Sequence, residues 1–491
     1  MKLKVKDVQL TTGGPLVAVL HEKTAKFLGI FPTDRIYIKR IHNKDGVNCV
    51  IDITKKGIKE GEIGLFEEVL KKLKISHGMQ VEVKRAEHPA SIQAIKRKLE
   101  GETLTEQEFN MIVRDIVNNE LSETELTYFV SGCYSHGLSI KETVFLTNAI
   151  VNNGERLHFR KGEIILDKHS IGGVPGNRTT MIVIPIIASL GYKIPKTSSR
   201  AISSPSGTAD TFETLAPVNL NKKKIEAVVK KTNACIVWGG GVDLASADDK
   251  LIKVRHPLKI DPTGMLLASI MAKKKAAGAT HVLIDIPWGK ETKLETKKEA
   301  KKLKKGFLKI GKLLNFKMKV ILTDGSQPVG NGIGPALEAA DVISVLKGDG
   351  PNDLREKAIF MATEALKLVG EKNPEEKVLA ALESGKAYHK LQEIIIAQGG
   401  KKHISIPKAK YFYNVLAVKT GIIEGIHNKR ISLLATLAGA PEEKTAGIYL
   451  RVKINNEVQK GDILYTIYTN TKQNLDSVKR QLKELDPIVY E

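Results

Sequence analysis

The sequence has few cysteines and no long apolar run. Cys49, Cys133 and Cys235 are the only three cysteines in 491 residues. They lie far apart and form no Cys-X-X-Cys pair, which argues against a disulfide framework and against a cysteine zinc site. No stretch approaches the ~18 uninterrupted apolar residues of a membrane-spanning helix, and the segment MKLKVKDVQL lacks the apolar core of a signal peptide. We therefore expect a cytoplasmic protein with no membrane partner.

Acidic residues are scarce relative to basic ones. The 77 Lys and Arg residues outnumber the 55 Asp and Glu residues and give a net charge of +22, which favours anionic ligands. A lysine-rich run over residues 295–305 (ETKKEAKKLKK) leads into apolar residues at helical spacing. Because no aromatic residues interleave these lysines, we interpret the run as the solvated face of a helix and expect no nucleic-acid partner.

The order of predicted elements indicates an α/β protein of several domains. Short alternating strands over residues 1–86, interrupted by one helix near Leu65–Leu73, indicate a small β-rich, barrel-like domain. Helical patterns cover 87–160 and return at 244–277 to complete a helical domain. Strand–loop–helix alternation over 161–243 and 278–405 predicts a mostly parallel central sheet. Residues 406–491 are strand-rich and close with a helix, which predicts a C-terminal α+β domain.

The first chemical signal is the loop DKHSIGG at residues 167–173, which lies between a predicted strand and an apolar helix. Its glycines let the backbone approach an anion, and successive amides supply partial positive charge. Lys168 adds a point charge and Ser170 a hydroxyl, so phosphate is the expected ligand. The alternative is a plain glycine turn followed by a threonine-capped helix. We expect His169 to be structural, with no acid–base role.

The second signal is the hydroxyl-rich segment TSSRAISSPSGTADTFE at residues 197–213, which again joins a strand to a helix. Its first 12 residues hold five serines, two threonines and an arginine, which suits a site that holds several ligand oxygens. The alternative is that these residues only cap the following helix, since Asp210 and Glu213 have capping-box spacing and Thr208 is a possible helix cap.

Three segments in order, DKHSIGG, SSRAISSPSGTADTFE and ASIMAKKKAAGA, resemble the phosphate loop, signature segment and base-site helix of the thymidine phosphorylase family. The later segment AGIYLRVKINNEVQKGDILYTIY resembles the C-terminal domain of that family. The resemblance covers about residues 90–491, and the β-rich domain before it resembles the extension of the archaeal AMP phosphorylase branch.

This resemblance implies a set of site residues. Inorganic phosphate, the co-substrate, is expected to contact Lys168, Ser170, Thr180, Ser198 and Thr208. The nucleotide is expected to contact Gly173, Ser199, Arg200, Ala201, Ile202, Ser203, Ser204, Thr208, Ser269 and Lys293. Base recognition is expected of Arg255, Ser269 and Lys273, with Asp261 as the catalytic proton donor. No metal and no other cofactor is implied.

The implied reaction is phosphorolysis of nucleoside 5'-monophosphates. AMP and phosphate would give adenine and ribose 1,5-bisphosphate, with CMP and UMP as further possible substrates. Because the leaving base gathers negative charge, a general acid lowers the barrier, as in glycosidases. Asp261 would have to stay protonated near neutral pH, which burial or neighbouring phosphates would favour. The family also implies a homodimer or a larger homo-oligomer.

Three alternatives stay open. The first is a thymidine or pyrimidine nucleoside phosphorylase, which needs no 5'-phosphate. The second is a phosphoribosyltransferase of the anthranilate type, for which Asp248 and Asp249 are the candidate magnesium pair. The third is a basic RNA-binding or scaffold protein.

Overall fold

The computed structural model describes residues 1–43, 45–86, 88–201, 204–242, 244–258, 260–482 and 484–491. The chain divides into two compact units, Met1–Asn153 with Ser246–Ser269, and Gly154–Ala245 with Ile270–Glu491. No helix within the described ranges is long and apolar enough to cross a membrane. The three cysteines are free thiols, and burial raises the pKa of each.

A closed barrel opens the first unit, as the alternating strands predict. Its strand order is β1-β5-β2-β4-β3-β6, and Leu3 and Val5 of β1 point into the core while their lysine neighbours are exposed. The elements are β1 (Lys2–Asp7), β2 (Val17–His21), α1 (Glu22–Leu28), β3 (Arg35–Arg40), β4 (Gly46–Thr54), β5 (Glu62–Leu65), α2 (Glu67–Leu73) and β6 (Gln80–Arg85).

The expectation of one helix in this domain is wrong, because the domain contains α1 in addition to α2. The α1 sequence EKTAKFL is short, and only Thr24 and Ala25 are buried, so it has no apolar stripe that would reveal it. Local chemistry defines it instead. The His21 side chain accepts from the Lys23 amide at 3.3 Å, and Gly29 ends the helix at a φ of +65°.

Four helices follow in the first unit: α3 (Ser91–Leu99), α4 (Glu106–Val117), α5 (Glu123–His136) and α6 (Ile140–Asn152). The starts of α4, α5 and α6 each carry a capping box, in which a Ser or Thr exchanges hydrogen bonds with a Glu three residues later. These boxes explain why the helical pattern of this region is readable from the sequence.

The second unit contains the parallel strands that the sequence predicts. Strands β11, β10 and β7 pair in parallel, β8 and β9 do likewise, and a parallel bridge between Ile165 and Lys193 joins the two groups. The elements from residue 166 to residue 324, among which α10 and the start of α11 belong to the first unit, are in chain order β7 (Leu166–Ser170), α7 (Thr179–Ser189), β8 (Ile194–Ser198), α8 (Thr208–Glu213), α9 (Lys222–Thr232), β9 (Ala234–Trp238), α10 (Ser246–Arg255), α11 (Thr263–Ala276), β10 (His281–Trp288), α12 (Lys297–Leu313) and β11 (Lys317–Asp324).

Helix α12 contains the lysine-rich run. Ala300, Leu303, Phe307 and Ile310 form its buried stripe. The lysines lie on the opposite face, where Lys297, Lys298, Lys301, Lys302 and Lys305 are exposed. The interpretation of this run as a solvated helix face is confirmed.

The rest of the second unit combines a helical layer with a strand-rich end. The helices α13 to α16 contribute to the same apolar core as α7. The elements are β12 (Gly332–Ile333), α13 (Pro335–Lys347), α14 (Asn352–Leu368), α15 (Pro374–Glu383), α16 (Lys386–Gln398), β13 (Tyr411–Leu416), β14 (Gly421–Ile426), α17 (Asn428–Leu437), β15 (Gly447–Leu450), β16 (Glu457–Val458), β17 (Ile463–Thr469), α18 (Lys472–Gln481) and β18 (Ile488–Tyr490).

Candidate active site

The first four residues of the segment DKHSIGG form the end of β7, where the sequence predicts a loop. Only residues 171–173 leave the carboxyl end of the strand, the edge at which ligands bind in open parallel sheets. Lys168 is buried and donates from Nζ to the hydroxyls of Thr179 at 2.8 Å and Thr180 at 3.1 Å. Burial lowers the pKa of Lys168 to about 8, although the nearby Asp285 opposes that shift. Neither threonine caps α7, since both lie inside its first turn, so these hydroxyls face the buried lysine instead.

Ser170, at the end of β7, is held by a buried carboxylate. Its Oγ donates to Asp285 Oδ2 at 2.7 Å and accepts from Asn177 Nδ2 at 3.3 Å. The other oxygen of Asp285 accepts from the Thr323 hydroxyl at 2.6 Å. Burial alone would raise the pKa of Asp285, but Lys357, Lys168 and these hydroxyl donors together lower it. Asp285 therefore stays ionised and fixes the Ser170 side chain.

Glycine at position 173 lets a second loop approach closely. Gly173 has a φ of +108°, and a Cβ there would lie 2.7 Å from the backbone nitrogen of Lys293. The structure thus brings together two residues that the sequence places 120 positions apart in the expected nucleotide site. By contrast, a Cβ on the neighbouring Gly172 would meet nothing within 4 Å.

The hydroxyl-rich segment is folded around Asp210. Its Oδ2 accepts from the amides of Ala201 at 2.7 Å and Gly207 at 3.0 Å. The capping interaction therefore falls on Gly207 and not on Thr208, which is the first residue of α8. Ser198 donates to Val237 O at 3.2 Å.

The Arg200 side chain is occupied within this segment. It forms an ion pair with Glu213 at 2.6 Å, donates to Asp210 at 3.1 Å and lies 5.1 Å from the ring centroid of Trp238. The Arg200 pairing also lowers the pKa of Glu213 to about 2, with Lys444 contributing. A ligand contact by Arg200 would thus come from its backbone.

Ser199 and Ser204 are exposed on the same segment. Ser204 donates to Ser206 O at 3.0 Å. The expected contacts Ile202 and Ser203 lie outside the described residues.

Arg178 joins the two loops. It lies five residues after Gly173, directly before α7, and donates from Nε to the Thr211 hydroxyl of α8 at 3.0 Å. The same Nε lies 2.6 Å from Glu338 Oε2. Both hydroxyl-bearing loops are therefore tied to one sheet edge.

His169 lies among lysines. Burial, together with Lys274, Lys196 and Lys168, lowers its pKa well below the ordinary value, so the imidazole is neutral at neutral pH. Lys274 itself forms a buried ion pair with Asp167 at 2.7 Å.

The expected proton donor and base-site residues lie in the first unit, apart from Lys273. Asp261 has a side chain that is 44% exposed and accepts from Arg255 Nη1 at 2.8 Å. Ser269 is buried and donates to Asp248 Oδ2 at 2.6 Å. Lys273 lies further along α11, in the part that belongs to the second unit.

Asp248 is thus engaged by Ser269, and Arg255 lies 3.9 Å from it. This disfavours the reading of Asp248 as half of a magnesium pair. In the described part of the chain, no group of three or more His, Cys, Asp or Glu side chains is arranged to hold a metal ion.

Comparison with known proteins identifies the relatives of this chain. It is 42% identical to an AMP phosphorylase of Thermofilum pendens over 492 residues, which cover all of this chain and 95% of that protein. An AMP phosphorylase of Methanospirillum hungatei is 42% identical and one of Thermococcus sibiricus is 41% identical, again over the full chain and over 96% and 98% of those proteins. The chain belongs to the AMP phosphorylase family.

The domains of this family member also match broader families. Residues 92–154 match the helical bundle domain of the glycosyl transferase family, and residues 162–388 match its a/b domain. Residues 422–488 match the pyrimidine nucleoside phosphorylase C-terminal domain. An anthranilate phosphoribosyltransferase structure from Thermus thermophilus shares the fold, with a TM-score of 0.51 and 18% identity over 62% of this chain and 99% of that one.

Sequence reasoning missed Asp285, Arg178 and Asn177, which hold the two loops of this AMP phosphorylase relative in place. One signal was available for Asp285, because it is the only acidic residue in the apolar strand HVLIDIPW. A buried carboxylate in such a strand requires polar partners. Which partners it finds depends on strand register, which pairs Asp285 with Ser170.

Proposed function

We propose that this chain cleaves AMP with inorganic phosphate, giving adenine and ribose 1,5-bisphosphate. The observation that carries the proposal is its full-length similarity to AMP phosphorylases. Two features of the site support it: the buried Lys168 at the phosphate loop, and the packing of Gly173 against the backbone of Lys293.

The attacking phosphate is proposed to bind at the end of β7. Lysine carries three N–H donors, and Lys168 gives two of them to Thr179 and Thr180, so the third is proposed to meet a phosphate oxygen. Thr180 and Thr208 are proposed to donate their hydroxyls to the same dianion. Ser170 and Ser198, which donate to Asp285 and Val237 O in this structure, are proposed to turn their hydroxyls to the phosphate when it binds. Such charge-assisted hydrogen bonds are stronger than neutral ones.

The 5'-phosphate of the nucleotide is proposed to bind at Lys293. It brings roughly two negative charges, which Lys293 and the hydroxyls of Ser203 and Ser204 would meet. Lys290, in the same turn, is the alternative cation. The remaining proposed nucleotide contacts are Ser199, Arg200, Ala201, Ile202 and Ser269.

In the proposed reaction an oxygen of inorganic phosphate attacks the anomeric carbon of the ribose. The glycosidic bond breaks, its electron pair passes to the base, and Asp261 donates a proton to that base. The Asp261 side chain is 44% exposed, so a bound nucleotide would reach its carboxyl. Arg255, 2.8 Å away, would orient the carboxyl.

We further propose that CMP and UMP are accepted alongside AMP. The reaction needs no metal and no cofactor besides phosphate. The chain acts in the cytoplasm, and it acts as a homodimer or a larger homo-oligomer.

A substrate panel tests the proposal. Each of AMP, CMP, UMP, adenosine, uridine and thymidine is incubated with phosphate, and release of free base is measured. We expect rapid release from AMP and little from the nucleosides. Efficient turnover of thymidine or uridine would establish a pyrimidine nucleoside phosphorylase instead.

Lys293→Ala tests the assignment of the 5'-phosphate. Losing a lysine contact to phosphate in a partly dry site is expected to lower kcat/KM for AMP roughly 30- to 1000-fold. Weak adenosine activity should be unchanged, since adenosine has no 5'-phosphate. Lys290→Ala, at an exposed position of the same turn, tests the alternative cation, and a larger loss on AMP there than in Lys293→Ala would assign the 5'-phosphate to Lys290. Equal losses on AMP and adenosine would assign Lys293 to structure or to the attacking phosphate.

A further inference from the structure

The segment Gly289–Leu294, which carries Lys293, forms a closed turn. The Gly289 amide donates to Leu294 O at 3.1 Å, and the Thr292 hydroxyl donates to Gly289 O at 3.0 Å and Leu294 O at 2.8 Å. The backbone of Lys293 lies against Gly173 of the phosphate loop. One side of this turn is therefore fixed by the phosphate loop.

Its other side is attached to the start of α17 through Glu291. Glu291 Oε1 lies 2.7 Å from His427 Nδ1, and Oε2 accepts from the Lys429 amide at 3.0 Å. Both ionisable side chains are mostly buried, with exposed fractions of 17% for Glu291 and 19% for His427. Burial alone would raise the pKa of Glu291, but the Lys429 amide and His427 lower it, so the carboxylate is held in its charged form.

Helix α17 makes a second attachment beside the first. Asn428 is buried and donates from Nδ2 to Gly325 O at 2.9 Å. Gly325 packs directly on the turn, because a Cβ on it would lie 2.7 Å from Thr292 Cγ2. The start of α17 thus contacts the turn directly at Glu291. It also contacts Gly325, which packs against Thr292 of the turn.

The backbone of Glu291 has a conformation that its neighbours must stabilise. Its φ of +66° is a left-handed conformation that non-glycine residues adopt at a cost of ~1–3 kcal/mol unless their surroundings hold them. The surroundings here are the His427 imidazole and the Lys429 amide. Only Thr292 separates Glu291 from Lys293, so a change in the left-handed residue shifts the lysine directly.

We propose that Glu291, held by His427 and the first turn of α17, is a positioning residue that places Lys293 to receive the 5'-phosphate of the nucleotide. This inference rests on the proposed function, and it makes the C-terminal domain a determinant of nucleotide over nucleoside use. Glu291 itself does not touch the substrate.

The test is a double-mutant cycle of Glu291→Ala with Lys293→Ala, read as separate kcat and KM values for AMP and for inorganic phosphate. We expect Glu291→Ala to raise KM for AMP by roughly tenfold, with kcat and KM for phosphate within about twofold of the parent. Glu291→Gln, which still accepts from the Lys429 amide, should recover most of that loss. In the Lys293→Ala background, Glu291→Ala should have no further effect on AMP.

Glu295→Gln is the control, because Glu295 is an exposed partner of the same helix end, 3.6 Å from Lys429 Nζ. It should leave every constant unchanged. Additive losses in the cycle, or equal losses on AMP and phosphate, would overturn the positioning role even where Lys293→Ala behaves as proposed. A Lys293→Ala variant with unchanged AMP kinetics would instead remove the proposed 5'-phosphate site itself, so the two failures are distinguishable.

Discussion

At the scale of residues, the hydroxyls of Ser170 and Thr208 provide the most direct test of the proposed binding site for inorganic phosphate. Ser170→Ala and Thr208→Ala each remove one proposed donor to a dianion, so KM for phosphate should rise roughly ten- to hundredfold. Thr214→Ala is the control, since that hydroxyl lies just after α8 and donates to Thr211 O at 2.7 Å. Steady-state kinetics over a phosphate series gives the answer, and an unchanged KM in both variants would refute the loop assignment.

The charge of Lys168 predicts a pH dependence. Burial lowers its pKa to about 8, so the ammonium that attracts phosphate is present below that pH and is lost above it. With AMP bound, kcat/KM for phosphate should therefore fall by about tenfold per pH unit above pH ~8. A pH series with AMP saturating measures this. A profile that stays flat to about pH 9.5 would mean that Lys168 keeps its proton or plays no part.

Asp261→Asn tests the proposed proton donor. The substitution keeps the size of the side chain and its contact with Arg255 through the amide oxygen, but it cannot supply an acidic proton. General acid catalysis contributes ~100- to 10,000-fold, so kcat should fall within that range while nucleotide binding and thermal unfolding persist. Turnover within a few fold of the parent would make Asp261 a turn residue.

The role of a site residue could be predicted from the sequence where its partners are close to it in the chain. Lys168 and Ser170 lie within a few residues of two glycines, so the sequence alone predicts a phosphate role for them, and that role stays a prediction. Asp285 lies 115 positions from Ser170, and only strand register brings the two together. The ion pairs of Arg200 with Glu213 and Asp210 could not be predicted from the sequence either, because the fold of the loop decides the direction of a long side chain.

At the scale of elements, the contact between the phosphate loop and the Lys293 turn depends on a single glycine. Gly173→Ala would place a Cβ 2.7 Å from Lys293 N at a φ of +108°, a strain of ~1–3 kcal/mol. We expect KM for both AMP and phosphate to rise, with a lower melting temperature. Gly172→Ala is the matched control, since its Cβ would meet nothing within 4 Å. Equal behaviour of the two variants would show that the close approach is unimportant.

Elements with a clear periodic or apolar pattern were predictable, and an element without one was not. The alternation of strands and helices after residue 161 predicted the parallel strands, of which β9 (ACIVW) is a continuous apolar run between loops. Helix α1 escaped detection since only Thr24 and Ala25 are buried, and a histidine caps it in place of the usual Ser, Thr, Asp or Asn.

At the scale of the whole molecule, the N-terminal barrel precedes the glycosyl transferase and pyrimidine nucleoside phosphorylase matches, which begin at residue 92. It carries no polar motif of the kind found at the phosphate loop. It does expose large apolar side chains, with Phe27 at 79% and Phe31 at 71%. Exposed apolar side chains are candidates for a protein interface, and on this ground we propose that the barrel is an assembly module.

Deleting residues 1–86 should therefore reduce the size of the proposed homo-oligomer, as measured by light scattering at several protein concentrations. The truncation also removes Arg35, which donates to Glu125 of α5 at 2.9 Å, so a loss of assembly could follow from destabilised helices alone. The full-length double variant Phe27→Ser with Phe31→Ser avoids this, because both side chains are exposed and the Arg35–Glu125 pair is kept. We expect it to lower the mass while leaving the melting temperature of the remaining species and the AMP activity per chain nearly unchanged. A truncated protein and a double variant that both keep the parent mass would contradict the assembly role.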